Sequence, residues 1–548
     1  MISTAATAPV THRRAAAWLE MATVAGFCAY LFFYGLGSLG LVGADEPRYA
    51  QIAREMLARH DWITPVLNGA PWLEKPILYY WGAELSYKLF GVSDWAARVP
   101  SAVLASAMVA AVYFFMRRFR PGSQLDAALI TASCAGVIGF ARAASTDMPL
   151  AALFTIGMLA WYAWLDTGRK RWLAGFYVFM ALAALAKGPV APLLAGAIVV
   201  VFALLRRDLR LIGKTLWWPG ILLFFAVALP WYVAVQVKTP QFLYVFFFEH
   251  NLERFRTNLF HHRQPFWYYL PVLLVAVLPW TVYVVAGMLS AAHRVPRAAR
   301  VSDRGGDPLR SFLLLWIAVP VIFFTFSVSK LPGYILPCLP AGALLAADYL
   351  WRKLRAEQRK QFALAVIHSA MAGALLSFVL LAPSRLLRVA PSSQAITIAA
   401  VASAVIFLGM VATLRARGLL MLRFATLVPV VLSLAFTVRV VAPVVDAKES
   451  ARPVARELNG IDGGKSPVAV FGVRRELQYG LNFYRNQPVP AYDTGEIPAS
   501  DHLLVARAGS ESALHALAPG RRFSHVGQFT AQQVEYYWVS SGTHRDDR

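Results

Sequence analysis

Thirteen stretches of about 17–24 mainly apolar residues recur along this chain of 548 residues. That recurrence constrains the fold more than any other feature. Each stretch is long enough to cross roughly 30 Å of hydrocarbon as a helix. Backbone N–H and C=O groups in lipid must find partners within the segment, so helices are the expected spanning form. The short alternating strands of a membrane barrel are absent. Spans are expected at 17–40, 97–116, 125–143, 147–165, 172–187, 188–205, 216–236, 267–290, 311–327, 332–350, 361–382, 394–414 and 422–443. The apolar share of 58% exceeds the roughly 45–50% of soluble domains. The predicted class is an α-helical polytopic membrane protein with about 13 transmembrane helices.

The net charge of +23 would suit nucleic acid, but its placement excludes that class. Basic residues gather in short loops between apolar runs: Arg117, Arg118 and Arg120; Arg169, Lys170 and Arg171; Arg206 and Arg207; Arg294 to Arg310; Arg352, Lys353 and Arg355; Arg415 and Arg417. This is the positive-inside pattern, reinforced by attraction to anionic lipid heads. It puts the N-terminus inside and, after thirteen crossings, the C-terminus outside. The outer loop with Arg385 and Arg388 breaks the pattern. Arg13 and Arg14 precede a first span expected to stay uncleaved. Cys28, Cys134 and Cys338 all fall in apolar runs, where small core residues are expected rather than disulfides.

On this topology the outer side holds 45–94, 238–266, the short turns near Asp147, Lys187 and Lys330, and the tail. Residues 1–443 are expected to form the transmembrane domain. Interfacial helices are expected on its outer face at about 44–96 and 238–266, because aromatic residues such as Trp62, Trp72, Tyr79, Tyr80 and Trp81 suit headgroup depth. Asp45 is expected to cap the first of them, with Pro47 in its first turn. Residues 444–548 read as a small outer α/β domain. Strand-length runs at 466–473, 501–506 and 534–539 alternate there with Gly, Pro and polar turns.

The ionisable residues of the outer side carry the chemistry. Asp45, Glu46, Arg48 and Tyr49 stand together where the first span ends. A carboxylate there suits general-base or orienting work, and an arginine fork suits phosphate; a helix cap with solvated charges is the alternative. Glu74 and Lys75 precede Pro76, with Lys75 placed as a point charge for phosphate or as half of an interfacial salt bridge. Glu249, His250 and Arg254 recur at near-helical spacing and can share a face. Glu74, His250 and His262 are candidate ligands for a divalent metal, although no HExxH spacing is present. Lys330 and Tyr334 flank a turn between two spans, as a phosphate-binding pair or as a snorkelling lysine beside a turn proline. Asp147 and Lys187 lie near span ends on the same side, where a helix cap is the plainer role for Asp147. Convergence on one membrane face favours a shared site.

These motifs together resemble the undecaprenyl phosphate-aminoarabinose:lipid A transferases of Gram-negative inner membranes, within the multi-span glycosyltransferases that include the protein O-mannosyltransferases. The likeness rests on Asp45-Glu-Pro-Arg-Tyr-Ala-Gln-Ile-Ala-Arg-Glu-Met-Leu57, Glu74-Lys-Pro76, Glu249-His250 with Arg254-Phe255, Pro265-Phe-Trp-Tyr-Tyr269 and Lys330-Leu-Pro-Gly-Tyr-Ile-Leu336, and covers roughly the first 350 residues. It implies a GT-C type fold, a donor of 4-amino-4-deoxy-L-arabinose on undecaprenyl phosphate, a lipid A phosphate as acceptor and a site facing the periplasm of the bacterial inner membrane. Asp45 is then the leading catalytic carboxylate and Asp147 a second. Arg48, Lys75, Arg254, Lys330 and Tyr334 become candidate donor-phosphate binders, with Glu46, Tyr49, Glu74 and His250 also facing substrate. Two alternatives stand beside it: a polyprenyl-phosphate-mannose protein O-mannosyltransferase, and a lipid-linked sugar transporter.

Overall fold

The computed structural model describes residues 10–253, 264–293, 307–353 and 358–541. Every expected span falls on a helix or on a sharply bent helical pair. The count of thirteen crossings is a different matter. Among the described residues, eight helices are by themselves long and apolar enough to cross, or up to ten when each bent pair is one span. Ala17–Phe33 and Val190–Leu205 are apolar but shorter. Lys170–Lys187 carries Lys170, Arg171 and Lys187 within its 18 residues. The helix Ser393–Arg417 leaves Ile396, Ile398, Val401, Val405 and Leu408 exposed, as a helix facing lipid does.

The sequence pattern predicts unbroken spans at 125–143 and 267–290, and the structure breaks both. Gln124–Ser133 and Ala135–Ala141 meet at 64°, Tyr269–Ala276 and Thr281–Ala292 at 117°. In the second pair Pro279 cannot donate to the helical ladder. The two breaks satisfy each other. The Ala135 N–H donates to the Leu278 carbonyl at 2.9 Å, and Trp280 Nε1 donates to Ser133 Oγ at 2.8 Å. Backbone groups freed by bending therefore find partners inside the bundle, which lipid demands. The three cysteines are buried and free.

After the first span the chain forms the helix Asp45–Arg59. Asp45 does not cap it. The cap position is Ala44, without a side-chain bond, and the Asp45 carboxylate is taken instead by Arg48, one turn along. A short hairpin follows, β1 (Val66–Leu67) and β2 (Ala70–Pro71). Asn68 and Gly69 both have positive φ there, the conformation a tight two-residue hairpin turn requires. Their N–H groups donate to Glu55. The helix Leu78–Phe90 completes the 45–94 segment, which is helical apart from the hairpin.

The tail contains the helices Arg452–Asp462 and Arg475–Arg485 and a four-stranded sheet. Its strands are β3 (Val468–Phe471), β4 (His502–Arg507), β5 (Arg521–Phe529) and β6 (Val534–Ser541), in the order β3-β4-β6-β5. Only β3 and β4 pair in parallel. Sequence reading locates three of the four. It misses β5, whose polar, exposed edge carries little apolar signal. The helix Arg475–Arg485 is strapped to the 45–94 segment and to the end of the first span. Arg54 Nη1 donates to the Phe483 carbonyl at 2.9 Å, and Asn482 Nδ2 to Asn68 Oδ1 at 2.7 Å. Tyr484 Oη donates to Asp94 at 2.6 Å and accepts from the Leu41 N–H at 2.8 Å. Gly40 permits this approach: a Cβ there would lie 2.8 Å from Tyr484 Oη and overlap Ser450 Oγ.

Candidate active site

A cavity of about 860 Å³ opens where the first span meets the 45–94 segment, a size suited to a substantial ligand. Its apolar wall includes Leu150, Leu193, Leu194, Phe323, Phe324 and Pro337 from the spanning helices. Its polar wall contains Asp45, Glu46, Arg48, Tyr49, Glu74, Lys75, Asp147, Lys187 and Tyr334. Arg475, Glu476 and Tyr479 of the tail line it as well. One hollow thus combines a greasy face with fixed charges of both signs.

Asp45 and Arg48 sit one turn apart on the Asp45–Arg59 helix and form an ion pair. The Asp45 side chain remains 58% exposed while Arg48 is only 11% exposed, so the carboxylate is the accessible member. The guanidinium is bracketed by rings, 4.8 Å from the centroid of Trp72, 5.5 Å from Tyr479 and 5.6 Å from Tyr49. Such contacts fix a cation in place. Burial alone would lower its pKa, but Tyr49, Glu74 and Asp45 raise it overall, so Arg48 stays charged. The Tyr49 hydroxyl is pushed well up by burial and by the Asp45 charge and stays protonated. Glu74 lies 3.8 Å from Arg48. The Lys75 ammonium donates to the Glu74 carbonyl at 3.3 Å.

Glu46 lines the cavity but its carboxylate is already occupied. Arg98 grips it at 3.0 and 2.7 Å. The Val42 and Ala144 N–H groups donate to it at 2.9 and 2.7 Å. With both oxygens engaged, Glu46 ties the loop before Asp45 to the loop before Asp147. These bonds let Glu46 hold the two loops in place.

Asp147 opens the helix Asp147–Thr167 and pairs with Lys187 at the end of Lys170–Lys187. The Lys187 ammonium also stands 5.3 Å from the centroid of the Tyr334 ring, which packs on Phe324 at 5.0 Å. Gly333 makes room for this group: a Cβ there would come within 2.5 Å of Asp147 Oδ1. The side-chain cap expected for Asp147 is absent; the cap position is Thr146 and forms no side-chain bond.

Lys330 is not among the cavity-lining residues. It is 5% exposed, and its ammonium donates to the carbonyls of Ser327 and Gln264. It braces the turn behind the cavity wall. The side chain of His250, and Arg254 and His262 altogether, lie outside the described residues. Among the described residues no group of three His, Cys, Asp or Glu side chains is arranged to hold a metal.

Sequence reading places Lys187 on the same face as Asp147 without giving it a role; their pairing needed the fold. Arg98, Arg475, Glu476 and Tyr479 are missed entirely. Tyr479 meets Arg48 across more than 400 residues of chain, and no local pattern signals that.

The chain is similar to known proteins along much of its length. Residues 19–246 match the dolichyl-phosphate-mannose-protein mannosyltransferase family. The chain is 34% identical over 334 residues to the undecaprenyl phosphate-alpha-4-amino-4-deoxy-L-arabinose arabinosyl transferase of Serratia proteamaculans, covering 59% of this chain and 58% of that relative. The enzyme of the same description from Pseudomonas aeruginosa is 34% identical over 337 residues, covering 60% and 59%. The chain thus spans less than two thirds of the length of these curated relatives. Its fold is that of ArnT from Cupriavidus metallidurans, solved in complex with undecaprenyl phosphate: TM-score 0.78 at 23% identity, covering 94% of this chain and 97% of that one. The chain therefore shares that polytopic α-helical architecture, with a small C-terminal sheet.

Proposed function

We propose that this chain is a membrane glycosyltransferase that moves 4-amino-4-deoxy-L-arabinose, or a related sugar, from undecaprenyl phosphate to a lipid A phosphate. The observation that carries this reading is a single cavity holding the accessible Asp45 carboxylate, the cations Arg48, Lys75 and Lys187, and an apolar wall suited to a polyprenyl chain. Residues 1–443 form the transferase domain and 444–548 an outer domain. The site faces the periplasm of the bacterial inner membrane.

In this reading the acceptor phosphate oxygen attacks the anomeric carbon. A new C–O bond forms as the bond from that carbon to the carrier phosphate breaks, and inversion follows from direct displacement. The electron pair leaves with the carrier phosphate, so negative charge grows there. Lys75, Arg48 and Lys187 are fixed cations that favour such growth without reorganising. The acceptor needs little deprotonation, because a phosphate monoester has its second pKa at about 6. Asp45 therefore orients the acceptor and stabilises positive charge on the sugar ring. Asp147, held by Lys187, supports the same site from the opposite loop. Lys330 acts through the turn carrying Tyr334. No step is assigned to a metal; Glu74, His250 and His262 remain its candidate ligands.

The mannosyltransferase match over residues 19–246 favours a second reading, with a protein as acceptor. Incubating the purified protein in detergent with aminoarabinosyl undecaprenyl phosphate and lipid A separates the possibilities. Sugar mass added to lipid A supports the first reading, and mass added only to protein the second. Loss of all transfer in detergent supports a transporter, because transport needs a sealed vesicle and transfer does not.

A further inference from the structure

The tail helix Arg475–Arg485 contributes Arg475, Glu476 and Tyr479 to the cavity wall. Tyr479 holds its ring 5.5 Å from the Arg48 guanidinium, and Arg48 grips Asp45. Arg475 stands four residues before Tyr479, so the two share one face of the helix. Asp45, Arg48 and Tyr479 are thus linked by successive contacts, and Arg475 lies one helical turn before Tyr479 on the same cavity wall. The helix cannot drift from this position, because Arg54, Asn68 and Asp94 bond it to the 45–94 segment.

The Arg475 side chain is 64% exposed, and its closest acidic neighbour among the described residues is Glu476 at 3.9 Å. That pair is too long for a good hydrogen bond, so the guanidinium fork is available for a bidentate anion. A polyprenyl phosphate donor carries its charge at one point, at the head of its chain. A phosphorylated glycolipid acceptor has a wider headgroup that can bear a second phosphate away from the reacting one.

We infer that Arg475, presented by the tail helix, binds a second phosphate of the acceptor headgroup and so selects diphosphorylated over monophosphorylated glycolipids. This rests on the proposed transfer to a lipid A phosphate and adds the role of the tail: the bundle binds the donor, and the tail helix reads the acceptor.

The test is steady-state transfer by the full chain in detergent, with diphosphoryl and monophosphoryl lipid A compared at saturating donor. Wild-type protein is expected to show at least a tenfold lower KM for the diphosphoryl acceptor. Arg475→Ala removes most of that preference and leaves the donor KM within about twofold. Arg475→Lys restores part of it, which a purely structural loss would not do. Equal acceptor KM values for wild type and Arg475→Ala overturn the inference while leaving the transfer reading intact. A raised donor KM in Arg475→Ala overturns it too. Absence of transfer to either lipid by wild type overturns the transfer reading itself, and the inference with it.

Discussion

Arg98 reaches from the helix Asp94–Phe119 to Glu46 and closes two hydrogen bonds at 3.0 and 2.7 Å, with its own side chain only 3% exposed. The same guanidinium donates to the carbonyls of Leu36, Leu39 and Gly40. One buried cation thus gathers the end of the first span, and its carboxylate partner gathers the loops leading to Asp45 and Asp147. Removing one member of a buried pair is costed at about 3–5 kcal/mol, because the other charge stays behind. Glu46→Gln is expected to lower the thermal midpoint of the detergent-solubilised protein and to reduce transfer in proportion to folded protein. An unchanged midpoint with abolished transfer would instead make Glu46 a direct participant.

Lys75 lines the cavity, and the proposed reading gives it the donor phosphate. Hydrogen bonds to charged groups contribute about 1.5–3 kcal/mol. Lys75→Ala is therefore expected to raise the donor KM by roughly 10- to 100-fold, with the acceptor KM little changed. Titration of the donor at saturating lipid A measures this, and an unchanged donor KM removes Lys75 from the phosphate site.

Gly333 has a space requirement rather than a chemical role. Its Cβ position overlaps the Asp147 carboxylate, so Gly333→Ala displaces Asp147 from Lys187 or moves the turn that carries Tyr334. Misplacing a catalytic group by about 1 Å is worth up to roughly 100-fold. We expect kcat to fall at least tenfold while the protein still folds, since the clash is with the Asp147 carboxylate and, less closely, the Phe140 ring, and not with backbone. Wild-type kcat in this variant would show that the Asp147–Lys187 pair has no part in turnover.

The tail has its own acid sensitivity. Asp462 accepts from Arg485 at 3.0 and 2.7 Å, and from the N–H groups of Gly464 and Ser466 at 2.7 and 2.8 Å. The hydrogen bonds from Arg485 are the main reason its pKa lies below the usual carboxylate range. A depressed folded pKa stabilises the fold above the unfolded value of about 3.9, and that contribution is lost as pH falls through this value toward the folded one. Hydrogen-exchange protection of peptides from 452–541, relative to the intrinsic amide rate at each pH, is expected to fall below about pH 4. Asp462→Asn should exchange faster at neutral pH and lose that part of the acid response. Identical exchange in the two proteins across this range would contradict it.

The parts legible in sequence are those governed by local physics. Apolar runs locate the helices because each must satisfy its own backbone in lipid. Loop charge brings Asp45, Glu74, Lys75, Asp147, Lys187 and Tyr334 to one face, and the cavity gathers all six. What escaped depends on contacts between distant segments. Cys134 and Pro279 lie inside apolar runs that read as continuous, and their bends hold because Ala135 and Leu278 bond across the bundle. Asp45 sits where a cap residue belongs, yet Arg48 competes for its carboxylate and wins. Lys330 has the composition of a phosphate binder, but the carbonyls of Ser327 and Gln264 hold its ammonium. The tail helix gives no sequence sign of facing Arg48.

Transfer depends on Asp45 in this account, and lipid A read by mass spectrometry tests that most directly. Cells expressing the wild-type chain should carry lipid A heavier by one aminoarabinose, or by the related sugar used. Cells expressing equal amounts of folded Asp45→Asn should carry none. Lipid A modified to the same extent by Asp45→Asn would contradict the account.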